Sequence, residues 1–195
     1  MKNIRSNIIA AGILCLSLGM TSCTKGFLDV ESKTESTTGN FYKTEQDAYR
    51  ALLGCYDGYR RATCGSAVNF LVSAEVMGYE CFGGSGASDG NGMRVTDRFD
   101  LSEMPSSTGS SWSGYYAGIY RCNELITREN SIQWNETGSM HTQYMAECHA
   151  IRAFLYFDVV RQFGNIPLLT KPTDENIPQA DPADVYKLIF DDLKF

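Results

Sequence analysis

The stretch that decides the fold is residues 146–168, which read AECHAIRAFLYFDVVRQFGNIPL. With the residues before it, this stretch predicts a helix from Met140 to Phe163, because apolar residues recur every three or four positions. The helix should end there, since Gly164 accepts a left-handed backbone conformation and Pro167 cannot continue a helix. One face carries Tyr144, Cys148, Ile151, Leu155, Val159 and Phe163, and the small residues are Ala146, Ala150 and Ala153. Such a helix is expected to pack against neighbours on several sides.

Three further helices are predicted from the same recurrence of apolar residues every three or four positions. Thr44 with Asp47 three residues on is typical of an N-cap and opens a helix over about Glu45 to Ala62. A second helix follows Trp112, and a third opens at Asp181-Pro182, where an acidic cap precedes a first-turn proline. The apolar stripes of these two helices are Tyr116, Ile119, Tyr120, Asn123, Leu125 and Ile126, and Val185, Leu188, Ile189 and Leu193.

The segments between the helices are predicted to be irregular. Residues 70–81 are apolar, but the composition changes at Phe82, and the glycine-rich residues 82–92 are expected to form a long loop without regular structure. The polar stretches 102–111 and 130–139 are also expected to be loops. At Phe195 the chain stops without a partner helix for its last apolar stripe, which is expected to have nothing of its own to pack against. This predicts that the chain belongs to a longer protein and is truncated at its C-terminus.

Composition and charge exclude several classes of protein. The 195 residues are 43% hydrophobic, 12% aromatic and 21% charged, which is a globular balance rather than that of a disordered tail or a rod. The net charge is −6, which opposes binding to phosphate backbones, so no nucleic-acid partner is expected.

The first residues are typical of a bacterial export signal. Lys2 and Arg5 precede an apolar run, residues 8–18, that is too short to span a bilayer. The run ends in Met20-Thr21-Ser22-Cys23, which resembles a lipoprotein signal cleaved just before the cysteine. Cys23 is therefore predicted to carry lipid such as palmitate, and acyl chains would hold the protein on a membrane without a transmembrane helix. The predicted organisation is a signal peptide over 1–22, a lipid-anchored tether over 23–40 and a helical domain over 41–195.

Five of the seven cysteines lie beyond Cys15 and Cys23. Cys55, Cys122 and Cys148 fall inside helical apolar patterns, where a buried thiol is expected. Cys64 and Cys81 fall in predicted loops and could pair, although an odd number leaves at least one thiol free. The spacings form neither a C-x-x-C pair nor a zinc framework, so no metal site and no cofactor are predicted.

Two blocks of the sequence resemble the SusD/RagB family of nutrient-uptake lipoproteins. The first is the signal with Cys23, followed by residues 26–31 (GFLDVE) and 40–48 (NFYKTEQDA). The second is residues 146–168, which match the family pattern A-E-x-x-x-x-R-A-x-x-Y-F followed by R-x-F-G-x-x-P-L. Between them, Trp112, Tyr116, Ile119 and the triplet 121–123 occupy the place of the family's central helix. The resemblance runs from the signal to the last residue and covers an N-terminal portion, since family members are usually more than twice as long.

The resemblance implies an all-α, loop-rich SusD-like fold with tetratricopeptide-like helix pairs. It also implies a lipid anchor in the cell outer membrane, facing the cell exterior, and a role in capturing oligosaccharides for a partner TonB-dependent transporter. Sugar rings lie on aromatic side chains while amides and carboxylates bond their hydroxyls. The predicted ligand-binding residues therefore flank or lie in the glycine-rich stretch: Tyr79, Phe82, Asp89, Asn91 and Arg94. Anchoring of the loop to the core is the alternative role for the aromatic pair, and Trp134 could either bind or pack.

Enzymatic patterns are weak. His141 and His149 are eight residues apart rather than in the four-residue spacing of a helical metal pair, and no catalytic residue is predicted. The serine-rich segments lack the G-x-S-x-G pattern, and the glycine-rich loop lacks the patterns that bind phosphates. Two alternatives stay open: a glycoside-processing lipoprotein with two carboxylates facing one cleft, and a helical scaffold lipoprotein that binds peptides or proteins.

Overall fold

The computed structural model describes residues 41–64, 69–84, 86, 91–100, 102 and 104–195, with only the backbone described at 91, 92 and 104–107. The predictions for the signal peptide, Cys23, the tether and Asp89 lie outside the described residues.

The described part of the chain is mainly helical, which confirms the all-α prediction. The α-helices are α1 (Glu45–Cys64), α2 (Phe70–Met77), α3 (Asn91–Asp97), α4 (Met104–Arg128), α5 (His141–Phe163) and α6 (Pro182–Asp192). A 3-10 turn spans Glu129–Ser131, and two short strands, β1 (Ile166–Pro167) and β2 (Gln179–Ala180), pair antiparallel with Ile166 opposite Ala180. Of the helices described, none combines the length and the apolar character needed to cross a membrane.

The N-terminus of α1 is fixed by a reciprocal cap. The backbone N–H of Asp47 donates to Thr44 Oγ1 at 3.3 Å, and the backbone N–H of Thr44 donates to Asp47 Oδ2 at 3.0 Å. This arrangement satisfies donors that the first turn of a helix leaves unpaired, as the sequence predicts.

Helix α5 is the centre of the core and confirms the helix predicted over Met140 to Phe163. It packs against α1, α4 and α6, and its fully buried side chains include Met145, Leu155, Tyr156 and Val159. The helix ends at Gly164, whose φ of 72° lies in the region that side chains rarely adopt.

Helices α1 and α4 cross at a pair of glycines. A Cβ atom added at Gly58 would lie 2.9 Å from Gly118 Cα, and one added at Gly118 would lie 2.9 Å from a methyl carbon of Leu155. Neither position has room for a side chain, so the three longest helices of the described fold approach closely at this point. The glycines that allow this close approach are on α1 and α4, whereas the sequence predicted small residues for close packing only among the alanines of α5.

Two predicted loops are partly helical. Helix α3 begins at Asn91 inside the stretch 82–92, and α4 begins at Met104 inside the polar stretch 102–111. Serine, threonine and glycine have poor helix propensity, but packing outweighs propensity here, because Ser111 is fully buried and α3 packs against α4. Cys64, predicted in a loop, is instead the last residue of α1.

The prediction that the last apolar stripe has nothing to pack against is wrong. Helix α6 packs against α5, and its Val185 and Ile189 are buried. The error arises because α5 has a further apolar face, which the sequence did not assign to a partner. The predicted start of α6 is confirmed: Asp181 Oδ1 accepts a hydrogen bond from the N–H of Ala183 at 2.8 Å.

Candidate functional site

A cleft of about 540 Å³ is formed by the first turns of α1, the loop after the 3-10 turn and the first turn of α5. Its lining is aromatic and polar: Thr44, Glu45, Gln46, Tyr49, Gln133, Trp134, Asn135, Glu136 and Tyr144. The volume lies in the range of small-molecule sites.

Three aromatic side chains give the cleft its apolar surface. The rings of Tyr49 and Tyr144 lie 5.7 Å apart between centroids and are tilted by 39°. Trp134 packs on the His141 ring at 4.3 Å, and its Nε1–H donates to the Glu129 carbonyl at 3.2 Å. Tyr49 remains 41% exposed, so part of its ring is available to a ligand. The partners of Trp134 hold the indole in one orientation before any ligand binds.

The loop that carries Trp134 is tied to the start of α1. The N–H of Gln133 donates to the Lys43 carbonyl at 2.8 Å. The Glu45 carboxylate accepts hydrogen bonds from the N–H of Asn135 at 3.1 Å, from the N–H of Met140 at 3.3 Å and from Ser139 Oγ at 3.2 Å. One carboxylate thus fixes both ends of the loop segment 135–140 on one helix terminus.

The same hydrogen bonds set the charge of Glu45. The N–H groups of Asn135 and Met140, together with the Ser139 hydroxyl, lower the pKa of Glu45 below its ordinary value because they stabilise the carboxylate. A general acid for glycoside hydrolysis needs a raised pKa, so that it holds a proton at neutral pH. Glu45 is therefore suited to holding the loop and accepting hydrogen bonds rather than to donating a proton.

The chemistry of the cleft is that of recognising a polyhydroxylated ring. Exposed amides and a carboxylate, from Gln46, Gln133, Asn135 and Glu136, lie beside the aromatic rings. An apolar ring face with hydrogen-bonding groups around its edge matches a sugar, which has apolar faces and equatorial hydroxyls.

Two smaller grooves lack this combination. One of about 220 Å³ between α5 and α6 is lined by Ala153, Phe154, Phe157, Tyr186, Ile189, Phe190 and Leu193. Another of about 210 Å³ is lined by Tyr56, Tyr59, Glu147, Ala150, Ile151 and Phe154, and the Tyr56 hydroxyl already donates to Glu147 at 3.0 Å. The surface of both grooves is mainly apolar, so the first cleft is the better candidate for a polar ligand.

The residues predicted from the glycine-rich stretch lie elsewhere. Tyr79 and Phe82 are 84% and 92% exposed, follow α2, and line none of these three cavities. Tyr79 has a φ of 63°, a left-handed conformation that glycine usually provides at the end of a helix. The N–H of Glu80 closes that helix end on the Glu75 carbonyl at 3.0 Å. A bulky residue in this conformation costs about 1–2 kcal/mol, so the exposed Tyr79 is kept at a cost to stability.

The structure brings part of the predicted set together. Arg94 lies on α3, and Asn91 is its first residue. The segment before α3 touches that helix at Gly83, where an added Cβ would lie 2.5 Å from Asp97 Cβ. Phe82 is therefore next to a residue packed on the helix that carries Arg94. Asp89 is outside the described residues.

The cleft is not predictable from a local sequence pattern, because its walls are distant along the chain. Residues 44–49 come from one segment and residues 133–144 from another about ninety residues later. Only Trp134, a tryptophan in a polar turn, gave a local signal, and the sequence left its role open.

Removal of the Glu45 carboxylate is expected to loosen the loop. In a Glu45→Ala variant, the amides of Asn135 and Met140 should exchange their hydrogens faster at neutral pH, because both lose their acceptor. In the unmodified protein, lowering the pH should reduce the protection of the same amides relative to their intrinsic exchange rates, which themselves slow in acid. A lowered pKa means that the carboxylate stabilises the fold above the ordinary glutamate range, and this is lost as the pH falls through the lowered pKa. Hydrogen exchange of peptides covering 133–140 measures both effects.

Glu136→Ala is the matched control, since its carboxylate makes none of these bonds, and equal exchange in both variants would contradict the assignment.

Comparison with known proteins finds similarity to SusD-like proteins. A family model described as SusD-like, starch-binding and associating with the outer membrane matches residues 87–195. SusD-like protein P38 of Formosa agariphila is 27% identical over 201 residues, which cover 100% of this chain and 37% of that protein. A SusD-like protein of Bacteroides ovatus is 26% identical over 102 residues, or 50% of this chain and 19% of the relative.

Solved structures give the same picture. A laminarin-binding SusD-like protein is 35% identical with a TM-score of 0.66, covering 78% of this chain and 33% of that one. A SusD homologue from Bacteroides thetaiotaomicron is 27% identical with a TM-score of 0.59, covering 84% of this chain and 31% of that one. The chain thus spans about a third of the length of these relatives.

Proposed function

Since this chain belongs to the SusD-like family, described as starch-binding and associating with the outer membrane, we propose that it captures oligosaccharides at the cell surface and passes them to a partner TonB-dependent transporter. It binds glycans and does not cleave them. It acts in nutrient uptake.

The observation that carries this proposal is the cleft between α1, the loop 133–140 and α5. Its aromatic rings are held in place before binding, and its amides and carboxylates face the same space as Tyr49 and Trp134. Preorganised ring faces reduce the entropy lost on binding, which suits capture of a flexible oligosaccharide. One solved relative is named for laminarin, so laminarin and starch are the first ligands to test.

The proposal includes a lipid anchor at Cys23. Acyl chains on this cysteine, such as palmitate, would hold the protein in the outer membrane facing the cell exterior, with residues 23–40 as a tether. The proposal is supported by the charged start, the short apolar run and the small residue before the cysteine.

Three measurements test the function. Calorimetric titration of the full chain with laminarin, starch oligosaccharides and a peptide mixture should give binding to at least one glycan. A reducing-sugar assay of the same mixtures should detect no release of reducing sugar. A pull-down in mild detergent from the outer membrane should recover a TonB-dependent barrel in stoichiometric amount. Binding of peptides alone would favour the scaffold alternative, and release of reducing sugar would favour the glycoside-processing one. Recovery of no barrel would overturn the transporter partnership.

The residues after α2 are proposed as a second contact surface for the glycan. Tyr79→Ala together with Phe82→Ala should weaken binding while the helical circular dichroism stays unchanged, since both side chains are almost fully exposed. Asp89, Asn91 and Arg94 are proposed to supply hydrogen bonds there. Affinity measured on the same glycan checks this, and unchanged affinity would remove Tyr79 and Phe82 from the site.

A further inference from the structure

Three cysteines meet in the core, although they are far apart in the sequence. Cys55 is on α1, Cys122 on α4 and Cys148 on α5, and all three are fully buried. Their Sγ atoms all lie within 4.8 Å of one another. The Sγ atoms of Cys55 and Cys148 are 4.0 Å apart, and Cys148 Sγ lies 3.6 Å from the Cys122 carbonyl oxygen.

The distance between Cys55 Sγ and Cys148 Sγ is that of two ligands on one ion, and the third sulfur lies within 4.8 Å of both. A metal–sulfur bond of about 2.3 Å places neighbouring sulfur atoms about 3.8–4.0 Å apart in tetrahedral or trigonal coordination. Within the described residues, this group of potential ligands contains sulfur alone, without histidine or carboxylate. Sulfur ligands select zinc(II) or copper(I) and do not suit magnesium or calcium.

A positively charged side chain lies beside the cluster. Arg121 precedes Cys122 on α4, and its guanidinium donates to the carbonyl of Gly54, the residue before Cys55, at 2.9 Å. A cation at this place offsets part of the negative charge that metal-bound thiolates carry.

We propose that Cys55, Cys122 and Cys148 form a three-sulfur site for a thiophilic d10 cation, zinc(II) or copper(I), that ties α1, α4 and α5 together in the core. Binding releases the thiol protons of the three cysteines to solvent, so three thiolates leave a net charge of −1 with zinc and −2 with copper(I). Zinc keeps the smaller buried charge, whereas copper(I) accepts three sulfur ligands without a fourth group. The site is independent of glycan capture and acts on stability.

The test uses the full chain with Cys15, Cys23, Cys64 and Cys81 changed to serine. This variant keeps only the three core cysteines of the seven in the chain. Because the three side chains are fully buried, the metal is supplied during refolding, without oxygen and with a thiol-free reductant, as zinc(II) in one arm and copper(I) in the other. Native mass spectrometry should find one ion per chain in at least one arm. Thermal unfolding should then shift upward relative to the metal-free protein.

A matched variant with Cys122→Ala in the same background separates coordination from surface binding. It should retain no ion above a buffer blank and show no thermal shift with metal, while its circular dichroism remains helical. Cadmium(II) should give a sulfur-to-metal charge-transfer band in the parent and not in this variant. Failure of both ions to bind, equal binding by the Cys122→Ala variant, or recovery of the refolded parent as a disulfide two hydrogen masses lighter would each overturn the proposal.

Discussion

Replacing Arg152 by Ala is expected to lower the free energy of unfolding by about 3–5 kcal/mol, because it leaves a buried carboxylate without its cation. Arg152 Nε and Nη2 donate to the two oxygens of Asp192 at 2.8 and 2.6 Å, and Nη1 donates to Asn123 Oδ1 at 2.8 Å. His149 Nδ1 lies 2.7 Å from Asp192 Oδ1. The Asp192 side chain is only 3% exposed, so water cannot replace the lost partner.

Urea denaturation of the variant measures the loss. Arg60→Ala is the matched control, since Arg60 pairs with Asp57 at 3.0 Å but is 65% exposed, and this variant should lose only about 0–1 kcal/mol. Equal losses in the two variants would contradict the assignment of a buried pair. Replacing both Arg152 and Asp192 by apolar residues should be less harmful than Arg152→Ala alone, because no charge is then left unpaired.

The same pair predicts the direction of the acid response. Burial alone would raise the pKa of Asp192, but the hydrogen bonds from Arg152 and His149 hold it below its ordinary value. The carboxylate therefore contributes stability above the ordinary aspartate range, and this contribution is lost as the pH falls through the lowered pKa. Helix α6 joins α5 through this pair as well as through Val185 and Ile189, the two buried residues of its apolar stripe.

The fold could be predicted where sequence and structure depend on the same local rules. Helices α1, α5 and α6 follow a repeat of apolar residues, and their ends follow from the caps at Thr44 and Asp181 and from Gly164. The first half of α4 could not be predicted this way. Its serine and glycine residues favour a loop, and it is helical because α4 is packed in the core, as the buried Ser111 shows.

The candidate site could be predicted less well, for a different reason. The cleft and the cysteine cluster each bring together side chains from different helices, and no local pattern encodes such a meeting. Cys55, Cys122 and Cys148 were correctly predicted to be buried, yet their spacing in the sequence argued against a metal site. The two sequence blocks that resemble the SusD/RagB family were enough to predict the family. The cleft, in contrast, is identified only from the folded structure.

The largest expected effect on function is at the aromatic rings of the cleft. Tyr49→Ala and Trp134→Ala should each weaken glycan binding by more than about tenfold, since truncating an aromatic anchor of an interface costs about 2 kcal/mol or more. The two rings line the cleft from different segments of the chain, so a sugar that contacts both would lose one stacking surface in each variant.

The two variants differ in what else they change, which makes the pair informative. Trp134 also packs on His141 and donates to the Glu129 carbonyl, so its removal disturbs the loop 133–140, whereas the half-exposed Tyr49 contributes little to the loop. A loss of affinity in Tyr49→Ala with unchanged helical circular dichroism therefore reports on ligand contact, although the variant also loses the ring contact with Tyr144. Tyr120→Ala is the control, because Tyr120 is similarly exposed but lines none of the three cavities. If Tyr49→Ala binds as tightly as Tyr120→Ala while the Tyr79 and Phe82 double variant binds weakly, the glycan contacts the surface after α2 rather than the cleft.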